Sequence, residues 1–240
     1  MRFERTVRLY GTEKLERLHN AHVCIVGIGG VGSWACESLA RSGVGHLTLI
    51  DMDDICDSNI NRQIHALDST IGQRKAQTMA ARIKDINPEC EVNFIDDFVS
   101  KENIPQYMDK NFDYVLDAID SVQSKAALVS YCRHNKIKVI TSGGAGGQYD
   151  PTQVQVCDLS KTVHDPLASK MRAILRKDYG FTSSKDRKFG VSCVFSTEQL
   201  EFATEMDNGI EKRVFGTSMM VTASFGLVAA AHIVKRLLQD

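Results

Sequence analysis

His22-Val-Cys-Ile-Val-Gly27-Ile-Gly29-Gly30-Val-Gly32 leads into a helical stretch and then into His46-Leu-Thr-Leu-Ile50-Asp51. The apolar run over 22–27 predicts a short buried strand, 33–42 a helix, and 46–50 a second strand closing on Asp51. Together they read as a βαβ nucleotide-binding unit. Gly27, Gly29, Gly30 and Gly32 stand where the backbone must turn tightly and come close to a phosphate. The N–H groups that open the helix, with its positive dipole end, make an anion site there. Glycines alone are equally compatible with a bare structural turn. The order strand, glycine turn, helix, strand and terminal Asp51 favours the nucleotide.

Outward from this unit the pattern repeats. Helical spacing over 73–86 puts Ala76, Met79, Ala80 and Ile83 on one face, and Asn87-Pro88 stops it. Further strands are expected at 91–95, at 114–119 ahead of Asp120, and at 137–141, 152–158 and 191–195. Helices are expected at 104–108 and 121–135, and Gly143-Gly-Ala-Gly-Gly147 reads as a flexible loop. Strands and helices in alternation argue for an α/β fold: a Rossmann-like, doubly wound, mainly parallel sheet with helices on both faces. The chain, 1–240, is read as a single domain.

Three segments stand apart. Residues 1–20 read as a polar N-terminal arm anchored by Leu9, Leu15 and Leu18 and carrying Arg2, Arg5 and Arg8. The span 161–190 reads as a mobile, partly helical basic insertion, with eight Lys or Arg against three Asp over 161–188. Such a charge run is either a solvated face or a footprint for phosphates. Residues 214–234 carry no Lys, Arg, Asp or Glu across 21 positions, enough to raise a membrane span. Thr217, Ser218, Thr222, Ser224, Gly226 and His232 interrupt that run. The segment 214–238 is therefore read as a C-terminal helix packed on the sheet or on a second subunit.

Composition bounds the rest. With 240 residues, 43% of them hydrophobic, the chain can bury one substantial core. Its 29 basic and 30 acidic side chains leave a net charge of -1, so total charge demands no nucleic acid and DNA is not expected as a partner. The seven cysteines are scattered and form no Cys-x-x-Cys pair, which argues against zinc and for a reducing, cytoplasmic compartment. Residues 1–20 lack the apolar core of a secretion signal.

The chemistry follows Asp51. In a dinucleotide-binding oxidoreductase an acid here holds a ribose, and the residues after it have no fixed duty. This chain instead places Asp53, Asn59, Asn61, Arg62 and Gln63 after Asp51, and Lys75 at the start of the next helix. Each alone reads as a solvated loop residue. Together, Arg62 and Lys75 flank the glycine turn and suit the charge of a triphosphate. Asp120, at a strand end on the same sheet edge and followed by Ser121, suits Mg²⁺, which bridges phosphate oxygens and keeps several waters. A helix cap is the competing reading of such an aspartate.

Gly27-x-Gly29-Gly30-x-Gly32, Asp51-x-Asp53, Asn59-x-x-Arg62-Gln63, Lys75 and Asp120 resemble the adenylation site of the ubiquitin-activating enzyme superfamily, which includes the ThiF and MoeB proteins. Asn61-Arg-Gln-Ile-His-Ala66, Gly143-Gly-Ala-Gly-Gly-Gln148, Asp150-Pro-Thr152 and Cys193-Val-Phe-Ser-Thr-Glu198 are similar to the tRNA threonylcarbamoyladenosine dehydratase (TcdA, CsdL) family. The resemblance covers nearly the whole chain. It implies ATP-dependent cyclisation of threonylcarbamoyladenosine beside the tRNA anticodon, with ATP and Mg²⁺ at the site. It also implies roles: Gly29 and Gly30 admit the nucleotide, Asp51 holds its ribose, Asn59 and Gln63 orient phosphates, and Arg62, Lys75 and Asp120 supply charge.

An N-terminal arginine that reaches the partner subunit's site belongs to the same resemblance. Arg5 falls in the matching position and Arg8 is close by, which implies a homodimer. Cys193 is the thiol to watch, because members of the superfamily use a cysteine to take a ubiquitin-like tail or a sulfur. A sulfur-transfer protein is then a possible partner, although a strand cysteine is more often core. The same adenylation site also fits the activation of a small sulfur-carrier protein at its C-terminus. Between Glu201 and Gly216 the chain is shorter than the resemblance leads one to expect.

Overall fold

The computed structural model describes residues 2–108, 111–184, 186–207 and 210–239. Its strands are β1 (His22–Val26), β2 (His46–Ile50), β3 (Glu91–Ile95), β4 (Tyr114–Asp117), β5 (Val139–Ser142), β6 (Val154–Asp158) and β7 (Ser192–Ser196). They form one sheet in the order β3-β2-β1-β4-β5-β7-β6. All neighbours are parallel except β6 and β7, so β6 closes one edge antiparallel. Chain order reverses between β1 and β4, the switch point where such sheets open a crevice at their carboxyl ends.

Interior strands read as unbroken apolar runs because both of their faces are covered. Successive side chains alternate between the two. Val23 and Ile25 of β1, Leu47 and Leu49 of β2, and Leu116 of β4 join one core cluster. Cys24 and Val26, Ile50 and Val115 join the other. The first cluster is closed by α3 (Gly32–Arg41), α4 (Lys75–Ile86) and α8 (Met219–Leu237). The second is closed by α5 (Ile104–Tyr107), α6 (Val122–His134) and α7 (Pro166–Asp178).

The helix α8 is long and apolar enough to span a membrane by length and composition. Here Val221, Phe225, Ala229 and Ile233 are buried in the first core cluster, where α8 packs on α3 and the sheet. Gly226 makes that contact close: a Cβ there would lie 2.5 Å from the Val31 carbonyl oxygen and 2.8 Å from Trp34 Cβ.

Several expectations are corrected. The polar N-terminal arm is made of two helices, α1 (Glu4–Tyr10) and α2 (Thr12–Asn20), which the sequence reading did not assign. Leu18 is buried, whereas Leu9 is 72% exposed and anchors nothing. The basic span is not loosely held over its first half. Asp165 caps α7 by accepting from the Ala168 N–H, with Pro166 at the first helical position, and Ala168, Met171 and Leu175 are core residues. The Gly143–147 loop is tied down rather than free, through Gly143 N–H to the Val194 carbonyl (2.7 Å) and Gly147 N–H to the Gly216 carbonyl (2.8 Å). The segment short of expectation carries a separate antiparallel pair, β8 (Ala203–Asp207) and β9 (Ile210–Val214).

Gly226→Val is expected to cost about 1–3 kcal/mol by overpacking the α3–α8 contact. A lower urea midpoint at unchanged m-value checks it, and an unchanged midpoint refutes the close approach.

Candidate active site

The carboxyl ends of β1, β2 and β4 open into a cavity of about 760 Å³. Gly27 leaves β1 with φ 89°, and a Cβ on it would sit 2.7 Å from the Ala118 carbonyl oxygen. At Gly32 a Cβ would fall 1.8 Å from the Gly27 carbonyl oxygen, so the helix can start this close to the strand only with glycine there. Gly29 is different. The nearest protein atom to its hypothetical Cβ is Gln63 Nε2 at 3.9 Å, and the cavity takes up the remaining space.

Asp51, one residue beyond β2, braces this turn. Its carboxylate accepts from the Ile28 N–H (2.6 Å) and the Asp53 N–H (2.9 Å). Burial raises its pKa above the ordinary carboxylate value, with those two donors and the Lys75 charge pulling the other way. Lys75, nearly buried at the start of α4, donates to Asp53 Oδ2 at 2.7 Å. Arg62 is half-buried beside Gly30, and its guanidinium donates to the Ser58 carbonyl (2.7 Å) and Asn61 Oδ1 (2.9 Å). Both cations line the cavity, each held by its own loop or neighbour.

Asn59 and Gln63 also line it and are buried. Asn59 Oδ1 accepts from the Cys56 N–H (3.2 Å), which braces the loop, whereas Gln63 Oε1 has no hydrogen-bond partner among the described residues. His65, quoted with this loop, is buried behind it. Burial, with the Lys75 and Arg82 charges, pushes its pKa down to about 4, so the ring is neutral.

Asp120 and Ser121 lie on the cavity, but Asp120 does not end a strand as expected. β4 stops at Asp117, whose carboxylate is buried against Lys125, and Asp120 is three residues further along, exposed, in the turn before α6. Among the described residues no cluster of three or more metal-ligating side chains occurs. A single exposed carboxylate facing a phosphate site is nonetheless the donor set Mg²⁺ uses when phosphates and waters complete its shell.

Two expected participants are elsewhere. Arg5 is exposed on α1 and does not line the cavity of its own chain. Cys193 is fully buried in β7, its thiol 3.5 Å from the Val194 carbonyl, and burial pushes its pKa well up. Sequence reasoning missed Asp97, Phe98 and Val99 after β3, and Leu167, Thr217 and Thr222 from the second half of the chain. The first three follow the rule that strand carboxyl ends line the crevice, which 91–95 satisfied in the sequence. The others are placed only by tertiary packing.

Comparison with known proteins decides the family: the ThiF family model matches residues 3–240. The chain belongs to the ThiF family, among its tRNA threonylcarbamoyladenosine dehydratases. It is 54% identical to the enzyme of that name from Haemophilus influenzae, over 99% of this chain and 94% of the relative. It is 55% identical to the E. coli dehydratase TcdA solved with ATP, with a TM-score of 0.92 over 99% of this chain and 94% of that one. The same E. coli enzyme solved with AMP gives 0.91 at equal coverage and identity. In this ThiF-family chain the glycine turn, Asp51, Arg62, Lys75 and Asp120 meet on one cavity.

Gly29→Val should leave thermal stability unchanged, because its side chain meets open space. It should lower AMP affinity by about tenfold or more in calorimetry, since the added methyls occupy the volume a ligand needs. Unchanged affinity would place the nucleotide elsewhere.

Proposed function

We propose that this chain performs the ATP-dependent dehydration of threonylcarbamoyladenosine in tRNA, next to the anticodon. The observation that carries this is the convergence of Arg62, Lys75 and Asp120 on a cavity built around a glycine turn, within a fold shared with dehydratases solved with ATP and AMP. Activation of a sulfur-carrier protein uses the same adenylation chemistry. It has less support, because relatives 54% and 53% identical bear the tRNA enzyme's name.

The substrate's threonyl carboxylate attacks the α-phosphorus in line, forming an acyl–phosphate bond as the bond to the β-phosphate oxygen breaks and pyrophosphate leaves. The neighbouring carbamoyl nitrogen then attacks the activated carbonyl and loses its proton. AMP departs with the former carboxylate oxygen, so the nucleoside has lost one water. The nucleophile of each step belongs to the substrate. The protein's part is positioning and charge. In this reading Asp51 accepts from the ribose hydroxyls, Gly29 and Gly30 let the nucleotide approach the backbone, and Asn59, Gln63 and Ser121 orient it. Lys75 and Arg62 turn from Asp53 and the 58–61 loop toward the phosphates. Asp120 would hold Mg²⁺, which supplies further neutralisation of the phosphate oxygens.

The tRNA is placed by α7. Leu167, in its first turn, lines the cavity, and the helix leads away from it with Lys170 and Lys177 exposed, followed by Arg187 and Lys188. Arg172 and Arg176 are engaged internally, with Thr162 and with the Thr182 carbonyl and Phe189 ring. A second subunit supplies Arg5, or Arg8 beside it, and the working unit is a homodimer. Supporting this, α8 exposes Met219, Met220 and Leu227, and Leu227 shares a groove with Tyr10 of α1. A sulfur-transfer protein remains a candidate partner that would act without Cys193 as an accessible thiol. The cytoplasm, where tRNA and ATP meet, is the compartment of this reading.

Mass spectrometry of nucleosides after incubating modified tRNA with the chain, ATP and Mg²⁺ should show loss of one water. Absence of that product with purified, ATP-binding protein overturns the reading. Reversal of Lys170, Lys177, Arg187 and Lys188 to Glu should weaken tRNA binding by about tenfold or more and flatten its salt dependence while AMP still binds. Asp120→Ala and Arg5→Ala should each be inactive alone. Mixed in equal amounts and allowed to exchange subunits, they should recover about a quarter of wild-type activity through one restored composite site. No recovery, with exchange verified, would put Arg5 outside the partner's site.

A further inference from the structure

One row of residues crosses the sheet directly beneath the cavity: Ile50, Val26, Asp117, Thr141 and Cys193, each the register partner of the next. All are buried, and within that apolar row Asp117 and Thr141 bring a carboxylate and a hydroxyl. The second helical layer answers them with Lys125, on the first turn of α6, which is also fully buried. Its ammonium donates to Asp117 Oδ2 at 2.8 Å, to Thr141 Oγ1 at 3.1 Å and to the Asp117 carbonyl at 3.3 Å. The Thr141 hydroxyl donates to the same Asp117 oxygen at 2.5 Å.

An ion pair without exposure on either side is a poor way to gain stability. Removing both charges from water costs about as much as their attraction returns, and a well-packed apolar pair of similar volume is often as stable or more so. Its geometry, in contrast, is specific. Asp117 Oδ1 accepts from the Ile119 N–H (3.2 Å), and the Lys125 N–H donates to the Ser121 carbonyl (2.9 Å). The cluster thereby grips both ends of the 118–121 turn, which carries Asp120 and Ser121 into the cavity. Through Thr141 it also holds the strand that runs into Ser142 and Gly143, on the opposite lip. That lip is fixed from below by a second buried carboxylate. Asp165 accepts from the Gly144 N–H at 3.0 Å, and its Oδ2 lies where a Cβ on Gly143 would be, 1.8 Å away.

We infer that the buried Asp117–Lys125–Thr141 cluster is a positioning device for the adenylation step, setting the 118–121 turn and the 142–144 loop at the separation the reacting phosphates require. Its residues touch no substrate; they act through Asp120, Ser121 and the glycine loop. This inference rests on the adenylating function proposed above. It assigns the spacing of the two cavity lips to this cluster and leaves the ribose to Asp51 and the close backbone approach to the glycine turn, which stand on other strands.

The double variant Asp117→Leu with Lys125→Met separates geometry from stability, because it removes both charges together. Its thermal midpoint should stay close to the wild type, lowered only by the lost acceptor of the Thr141 hydroxyl and the Ile119 N–H. Its AMP affinity by calorimetry stays within about twofold, since AMP lacks the departing pyrophosphate. Its kcat for AMP release and for the dehydrated nucleoside should fall by about tenfold or more, with KM for ATP little changed. Should the double variant not fold, Thr141→Val serves instead. It removes the bridging hydroxyl alone, and its kcat should fall several-fold at unchanged AMP affinity. Wild-type kcat per folded molecule in either folded variant overturns the inference, as does a loss of AMP binding in step with kcat. A wild type that binds AMP but yields no dehydrated nucleoside instead overturns the proposed function.

Discussion

The structure depends on how closely the first turn of α3 approaches the end of β1. Gly32 packs against the Gly27 carbonyl at a distance no side chain permits, and Gly27 itself lies against the Ala118 carbonyl of the neighbouring crossover. Three segments therefore meet with backbone against backbone: the end of β1, the start of α3 and the turn after β4. From that contact follow the position of the helix N-terminus at the sheet's switch point, the anion-binding N–H groups it presents, and the width of the crevice between β1 and β4. Gly226 repeats the device on the far side of α3, where α8 seats against Val31 and Trp34.

Around this fixed turn the charges are stored rather than free. Lys75 rests on Asp53, and Arg62 rests on the Ser58 carbonyl and Asn61. Without such partners two cations facing one small cavity would repel each other. In the proposed function each exchanges its present neighbour for a phosphate oxygen. Lys75 is the better held of the two, because its side chain is almost buried while Asp53 remains mostly in water. Arg62 engages the Ser58 carbonyl and Asn61 through one guanidinium nitrogen, Nη1.

The sheet was legible because strands covered on both faces must be apolar throughout, and β1, β2 and β4 are. The site residues of the first 75 positions were legible for a related reason: they cluster in sequence around one turn. What escaped was set by contacts distant in the chain. Asp117 sits inside an apolar run, and nothing local marks it as the acid that is buried rather than Asp120. Lys125 looks like any helix lysine until α6 is laid on the sheet. The basic span 161–190 was expected to be partly helical, but the packing of that helix was hidden because its core residues, Ala168, Met171 and Leu175, are spaced among lysines and arginines. The β8–β9 pair was overlooked although Asn208-Gly209 is a hairpin signal in the sequence.

The position of Cys193 clarifies the chemistry more than its reactivity would have. A thiol fully buried in β7, with burial opposing its ionisation, is a poor acceptor for an acyl group or a sulfur. Among the described residues no cysteine lines the cavity. An adenylating enzyme that hands its acyl group to a separate acceptor gains from a protein nucleophile, because the activated carbonyl must wait for that acceptor. A dehydratase has no such wait: the carbamoyl nitrogen is tethered to the carbonyl it attacks and closes a small ring on it. What the protein must then provide is a charge-matched cavity and a fixed separation between its two lips. Those are the features the buried side chains beneath it are arranged to hold.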